Sequence, residues 1–311
     1  MPPRDTKFKL NTGAEIPAIG FGTWQDEEAQ EKAVLAALQA GYRHIDTAAI
    51  YGTEAAVGKA IKKSGVPREE IFITSKLWNN KHKPEDVEKA IDASLKNLGI
   101  DHLDLFLMHW PVAFAPGDEP FPKDGAGKMK TADIDYVDTY KAMEKLVHAG
   151  KTKAIGISNF SKAETERLLQ NTTIVPAVHQ LELHPWLQQP SFVAYLKAKG
   201  IHVTQYSSLG NQNETYQQDG KLLEAPVLTA IGKKYNKTPP QVALSNLSAW
   251  GINEGHSVLV KSKTEERIKA NFESDFELEA EDVQLLHEMD RKRRFNNSSE
   301  AFNYKFFSDL D

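Results

Sequence analysis

The strongest constraint on how this chain can fold is a rhythm: eight short runs of β-branched and aromatic residues alternate with longer stretches whose apolar residues fall at helical spacing. The runs are "AIGFGT", "YRHIDTA", "IFITSKL", "LDLFLMHW", "TKAIGISNF", "AVHQLELH", "HVTQYSSL" and "HSVLVKS". Between them lie stretches such as "EEAQEKAVLAALQAG", "PEDVEKAIDASLKNLG" and "DTYKAMEKLVHAG", each closing on a glycine suited to a helix C-cap. Parallel strands cannot be joined by a tight turn, so strands that give way to helices imply a parallel sheet with helices packed on it. Repeated eight times with no Pro/Gly/Ser-rich linker, the pattern predicts one (β/α)8 barrel domain over residues 1–311. The rival is a doubly wound sheet, which calls for a Gly-x-Gly-x-x-Gly turn after a strand; "GFGTWQ" has only the first two glycines.

Ahead of the first run, "FKLNTGAEI" reads as a hairpin around Asn-Thr-Gly. The connection over residues 111 to about 135 and the tail "RFNNSSEAFNYKFFSDLD" are expected to wall a pocket. Apolar residues at 40% suffice for a large core, and a net charge of -5 argues against nucleic acid or an anionic membrane as partner, leaving a small molecule. Cysteine is absent, which excludes disulfides, thiolate metal sites and a catalytic thiol. The opening "MPPRDTKFKLNTG" lacks the apolar stretch of a secretory signal, so a cytoplasmic protein is expected.

In a barrel of this kind chemistry gathers at the C-terminal ends of the strands. There the runs carry Asp46, Lys76, His109, Ser158 with Asn159, Gln180, Tyr206, and Lys261 with Ser262. Taken singly, each has an ordinary structural role as a cap, a solvated charge or a packing ring. Together they would converge on one pocket. A phenol is a poor acid at neutral pH, and an adjacent ammonium lowers its pKa by favouring phenolate. Lys76, oriented by Asp46, is expected to act in this way on Tyr51, which stands in a short turn after the second run. His109 would donate a hydrogen bond to a carbonyl oxygen, so the set is suited to protonating an oxyanion while a hydride arrives from elsewhere. Asn159, Ser158 and Gln180 suit a carboxamide and Tyr206 offers a stacking face, as a nicotinamide ring requires. "KSKTEERIKAN" joins cations and hydroxyls to a helix start, a phosphate site.

With "GYRHIDTA", "SKLW", "LMHWP", "GISNF", "HQLELHP" and "KSKTEERIKANFE" in view, the chain resembles the aldo-keto reductases over nearly its whole length. The resemblance implies a (β/α)8 barrel that reduces carbonyls with NADP(H), without metal, and a catalytic tetrad of Asp46, Tyr51, Lys76 and His109. It implies nicotinamide contacts from Ser158, Asn159, Gln180 and Tyr206, and 2′-phosphate contacts from Lys261, Ser262, Thr264 and Arg267, with Asn271 near adenine. Further cofactor contacts are implied at Gly22, Thr23, Trp24 and Asp46, and at Ser207, Leu209 and Asn211. Trp24, Trp78, His109 and Trp110 would face the substrate.

"GTWQDEEAQ", "LWNNKHKPEDV", "FPKDGAGK" and "GNQNETY" are similar to fungal-type NADP-dependent glycerol dehydrogenases and glyceraldehyde reductases, which implies a monomer acting on glyceraldehyde, dihydroxyacetone or glycerol. A broad aldose or xylose reductase is the alternative, and a non-catalytic NADPH-binding regulatory protein another, although such a protein needs neither Tyr51 nor Lys76. The chain departs from the family in three places: "QVALSNLSAWGINEGHSVLVKS" is about four residues longer, and Val260 and Ser208 stand where prolines are frequent.

Overall fold

The computed structural model describes residues 6–210, 212, 220–245, 255–273, 276 and 278–309. Strands β1 (Lys7–Lys9) and β2 (Glu15–Pro17) form the expected antiparallel hairpin, with Phe8 opposite Ile16. All eight expected runs then appear as strands: β3 (Ile19–Gly22), β4 (His44–Asp46), β5 (Phe72–Leu77), β6 (Leu105–Met108), β7 (Ile155–Ser158), β8 (Val178–Glu182), β9 (His202–Tyr206) and β10 (His256–Val260). They pair in parallel in chain order and close through β10 against β3, giving an eight-stranded barrel.

The strands read as near-continuous apolar runs because both of their faces are covered. Every residue of β5 and β6 is buried, between helices outside and the barrel interior within. Gly156 of β7 is required by that interior, since a Cβ there would collide with the carbonyl of Val178 on β8. Around the barrel run α1 (Gln30–Ala40), α2 (Glu54–Ser64), α3 (Pro84–Leu98), α4 (Tyr136–His148), α5 (Lys162–Asn171), α6 (Pro190–Ala198), α7 (Pro226–Tyr235), α8 (Pro239–Ser245), α9 (Glu265–Phe272) and α10 (Ala280–His287). Their ends follow local chemistry: proline opens α3, α6 and α7, where its missing N–H costs nothing, and Ser161 with Glu164 forms a capping box on α5. On α3 the buried Val87, Ile91, Leu95 and Leu98 recur at helical spacing. Each such burial is worth about 1.5–3 kcal/mol.

The hairpin lies across the N-terminal end of the barrel. Its Leu10 and Ile16 join a cluster with Phe72, Leu105, Leu107 and Val178, closing that mouth and leaving the C-terminal rim as the accessible end. Of the longer segment "QVALSNLSAWGINEGHSVLVKS", residues 246–254 lie outside the described residues, as does Asn211. Ser208, in place of a proline, donates its Oγ to the carbonyl of Leu259 at 3.2 Å and ties the turn after β9 to β10. No helix among the described residues is long and apolar enough to cross a membrane.

Candidate active site

Strand ends place the polar residues. Asp46 is the last residue of β4, Lys76 lies near the end of β5, and His109 follows β6 directly, its amide bonded to the carbonyl of Leu77. The Lys76 ammonium is sealed from solvent, donating to Asp46 Oδ1 at 2.5 Å and to the carbonyl of Thr47 at 2.8 Å. It lies 5.1 Å from the centroid of the half-buried Tyr51 ring, which meets His109 edge-on at 5.7 Å. The three groups at Asp46, Lys76 and Tyr51 therefore sit in the order expected, with His109 beside the phenol.

Their electrostatics differ from the expectation in one respect. Burial pushes the Tyr51 phenol up, and the pull of the Lys76 ammonium in the other direction only partly offsets it, so the phenol stays above its ordinary pKa. The expectation counted the cation and not the loss of water around the ring. Burial alone would lower Lys76, but Asp46 and then Tyr51 hold its ammonium above the usual lysine value. Burial, followed by the nearby Lys76 charge, holds His109 well below the ordinary histidine value, so its imidazole is neutral at pH 7. Its Nδ1 is buried with no hydrogen-bond partner among the described residues, leaving Nε2 as the nitrogen available to a ligand.

Beside this group is a second, continuous network. Gln180 Nε2 donates to the other oxygen of Asp46 at 2.7 Å, so the carboxylate is held from both sides. Ser158 Oγ donates to the carbonyl of Gln180, and Asn159 Nδ2 donates to Ser158 Oγ and to the carbonyl of His109. Tyr206 donates its hydroxyl to Asn159 Oδ1 at 2.7 Å. Asn159 has a φ of 63° and Ser207, after Tyr206, a φ of 54°. Asparagine tolerates that left-handed conformation better than most residues, and here its side chain is bonded at both ends. Gln180 Oε1 has no hydrogen-bond partner among the described residues and remains an acceptor for a carboxamide N–H. The residues expected around a nicotinamide are thus brought together and fit one.

The far side of the rim fits an anion. Lys261 and Lys263 both pair with Asp26, at 2.5 and 3.1 Å, so a carboxylate from the turn after β3 already stands where cations gather. The hydrogen bond from Lys261 holds that carboxyl below its ordinary range. Arg267 is exposed in the first turn of α9, beside the half-exposed Ser262 and the exposed Thr264, while Asn271 is turned inward. Thr23 departs from expectation: it is fully buried, with its hydroxyl on the carbonyl of Asp46, so it braces β4 and has no surface for a ligand. Gly22 and Leu209 are partly exposed at the same rim.

The tryptophans divide. Trp24 is 44% exposed at the rim, whereas Trp78 and Trp110 are buried in an aromatic cluster with Phe114, Phe302, Phe306 and Phe307. Trp78 meets His109 at 5.2 Å, and its indole N–H donates to the carbonyl of Pro120 in the long connection. Phe121 from that connection and Phe302 from the tail both pack against Trp78 and line an open cavity of about 1110 Å³. Phe302 and Asp26 were not singled out in the sequence. One sits in a tail without periodicity, and the other in "QDEE", which reads as a solvated charge run.

Comparison with known proteins identifies the family and the fold. The model of the aldo/keto reductase family matches residues 18–291. An uncharacterised oxidoreductase of Schizosaccharomyces pombe is 46% identical over 300 residues, 95% of this chain and 92% of that protein. Aldo-keto reductase family 1 member A1 of Xenopus tropicalis is 46% identical over 92% of this chain and 89% of its own length. Among solved structures, the aldose reductase of Schistosoma japonicum superposes with a TM-score of 0.89 at 37% identity, covering 97% of this chain and 98% of that one. The chain belongs to the aldo/keto reductase family, whose members reduce carbonyl groups with NADP(H) as cofactor.

Proposed function

We propose that this protein reduces small aldehydes and ketones, glyceraldehyde and dihydroxyacetone among them, and oxidises glycerol in reverse, with Tyr51 as the proton donor. The observation that carries the reading is the buried Lys76 ammonium, held by Asp46 and set against the Tyr51 ring beside a neutral His109. A lysine is costly to bury and costlier to leave unpaired, and a purely structural role would not need a phenol at its side.

NADPH, when bound, supplies the hydride. His109 Nε2 donates a hydrogen bond to the carbonyl oxygen, orienting it and stabilising the charge that develops there. Tyr51 is protonated at neutral pH and gives its proton to the resulting alkoxide; Lys76 stabilises the phenolate left behind, and Asp46, fixed by Gln180, keeps Lys76 in place. Ser158, Asn159, Gln180 and Tyr206 would hold the nicotinamide end, while Lys261, Ser262, Thr264 and Arg267 would hold the 2′-phosphate. The protein acts as a monomer in the cytoplasm.

The aromatic cluster around Trp78 and Trp110 supports a second reading, a broader aldose reductase that also takes bulkier apolar aldehydes. Loss of NADPH absorbance with DL-glyceraldehyde, dihydroxyacetone, xylose and aromatic aldehydes, ranked by kcat/KM, separates the two. Highest kcat/KM for the three-carbon carbonyls supports the first; no turnover of any of them refutes both.

A further inference from the structure

One charged group near the rim takes no part in the chemistry above. Glu182, the last residue of β8, is fully buried, as is His184. Its Oε1 accepts the amide of Phe295 at 2.7 Å and the His184 Nε2 hydrogen at 3.0 Å, and its Oε2 accepts the amide of Asn296 at 2.8 Å. The Phe295 ring lies over His184, centroids 5.0 Å apart. A buried carboxylate that receives two consecutive backbone amides is a clamp on the chain that bears them.

What it clamps is the tail. The backbone carbonyl of Glu182 accepts from Gln189, whose Oε1 accepts from Arg294, and the Arg294 guanidinium stacks 3.8 Å from the centroid of Phe307. Beyond the clamp, Phe302 and Phe306 pack on Trp110 at 5.3 and 4.8 Å. The far end is tied down separately, where Asp309 accepts the Ala163 amide at the start of α5 at 2.6 Å. On the other side, Asn296 Nδ2 donates to Ser207 Oγ at 3.1 Å, next to Tyr206, and Tyr206 is the β9 partner of Glu182 itself.

We propose that Glu182 is a positioning residue that sets the substrate range: by holding the amides of Phe295 and Asn296, it fixes the phenylalanine wall over Trp110 and joins it to the Tyr206 floor. It touches neither substrate nor cofactor. Burial works against its charge, but the His184 hydrogen bond, the Arg294 charge and the Phe295 amide outweigh it, so the carboxyl is held below its ordinary range and stays ionised at neutral pH.

The inference rests on the carbonyl-reducing reading, and wild-type turnover of glyceraldehyde and of an aromatic aldehyde is measured first, so failure of that reading shows as an inactive wild type. Glu182→Ala is expected to raise KM for the aromatic aldehyde by about 10- to 100-fold, the range for loss of a charge-assisted hydrogen bond. For glyceraldehyde kcat, and for NADPH the Kd, should stay within about 3-fold. Glu182→Gln, which keeps one acceptor oxygen, should fall between wild type and alanine. Equal losses for both aldehydes, or no loss for either, overturns the proposal. Should the variants not fold, hydrogen exchange on the wild-type protein decides. The Phe295 and Asn296 amides should be protected like those of β8, and exchange at the rate of an unstructured peptide overturns it.

Discussion

Lowering the pH from 7 to 5 is expected to remove a large part of this protein's stability, because several histidines, four of them outside the candidate site, are sealed inside it as neutral rings. His44, His82, His179 and His256 are all buried to 1% exposure or less. Burial brings His44 down to about 4 and His82, His179 and His256 to about 3. The geometry agrees independently. Phe160 donates its amide to His179 Nε2 at 3.2 Å, which only an unprotonated Nε2 can accept, and neither ring nitrogen of His82 has a hydrogen-bond partner among the described residues. The His44 ring fills space left by Gly20, where a Cβ would come within 2.6 Å of it. In the unfolded chain each ring titrates near ~6.5. The stability tied to these groups is therefore complete above that value and is lost as the pH falls toward 3 to 4, since the unfolded chain takes up protons that the folded one refuses. At pH 5 the difference is close to one proton per ring, or about 2 kcal/mol each and about 8 kcal/mol for the set. That is comparable to the ~5–15 kcal/mol net stability of a typical domain. Urea unfolding at pH 5, 6, 7 and 8 at fixed ionic strength measures it. Near pH 5 these four rings alone should make the stability climb by about 5 kcal/mol per pH unit, with His202, brought down to about 3 by burial, and His109 adding to it, and His82→Phe should reduce that slope by about one proton's worth, ~1.4 kcal/mol. A wild-type slope below the one-proton value between pH 5 and 6 would refute the account.

Tyr51→Phe should keep NADPH binding and lose about 100-fold or more in reductase turnover; because the phenol lies above its ordinary pKa, polyol oxidation, which needs phenolate, should rise with pH through the alkaline range while reduction does not. Substantial turnover in the variant, measured by NADPH consumption, would remove Tyr51 from its role. Lys76→Met should abolish reduction and lower stability by about 3–5 kcal/mol, since Asp46 would keep a buried charge with only the Gln180 amide beside it; a variant with normal kcat and Tm contradicts this. Arg267→Ala should weaken NADPH by about 10- to 100-fold and leave NADH nearly unchanged, and equal dissociation constants for wild type and variant would place Arg267 away from the phosphate.

The barrel was legible because its strands are buried on both faces and its helices on one, so two periods alternate along the chain without ambiguity. The meeting of Asp46, Lys76, Tyr51 and His109 at one rim was legible for a related reason: a carboxylate or an ammonium at the end of a fully buried strand, as at Asp46 and Lys76, has no solvated face to explain it. What escaped depends on distance in sequence and on desolvation. Gln180 reads as a cofactor ligand, yet its amide is spent on Asp46, 134 residues away. Thr23 reads as a rim residue and is sealed under the carbonyl of Asp46. The net upward displacement of Tyr51 depends on how much water the fold removes around the ring, which no spacing reports. The tail has no period at all, and its fastenings lie far away in the chain, at Glu182 more than a hundred residues earlier and at Ala163.

If the proposed 2′-phosphate site is right, the pairing of Asp26 with Lys261 and Lys263 would make binding at that corner an exchange of anions. A bare cationic patch would draw a cloud of small ions from solution and shed them when a phosphate arrived, and its affinity would fall steeply with added salt. Here part of that cloud is replaced by a tethered carboxylate. A phosphate arriving there would displace Asp26 into water and shed fewer free ions. The affinity for NADPH should accordingly depend only shallowly on salt, with Asp26→Asn giving tighter binding at low ionic strength and a steeper loss as salt is added. Parallel plots of log Kd against log salt for the two proteins would exclude the exchange.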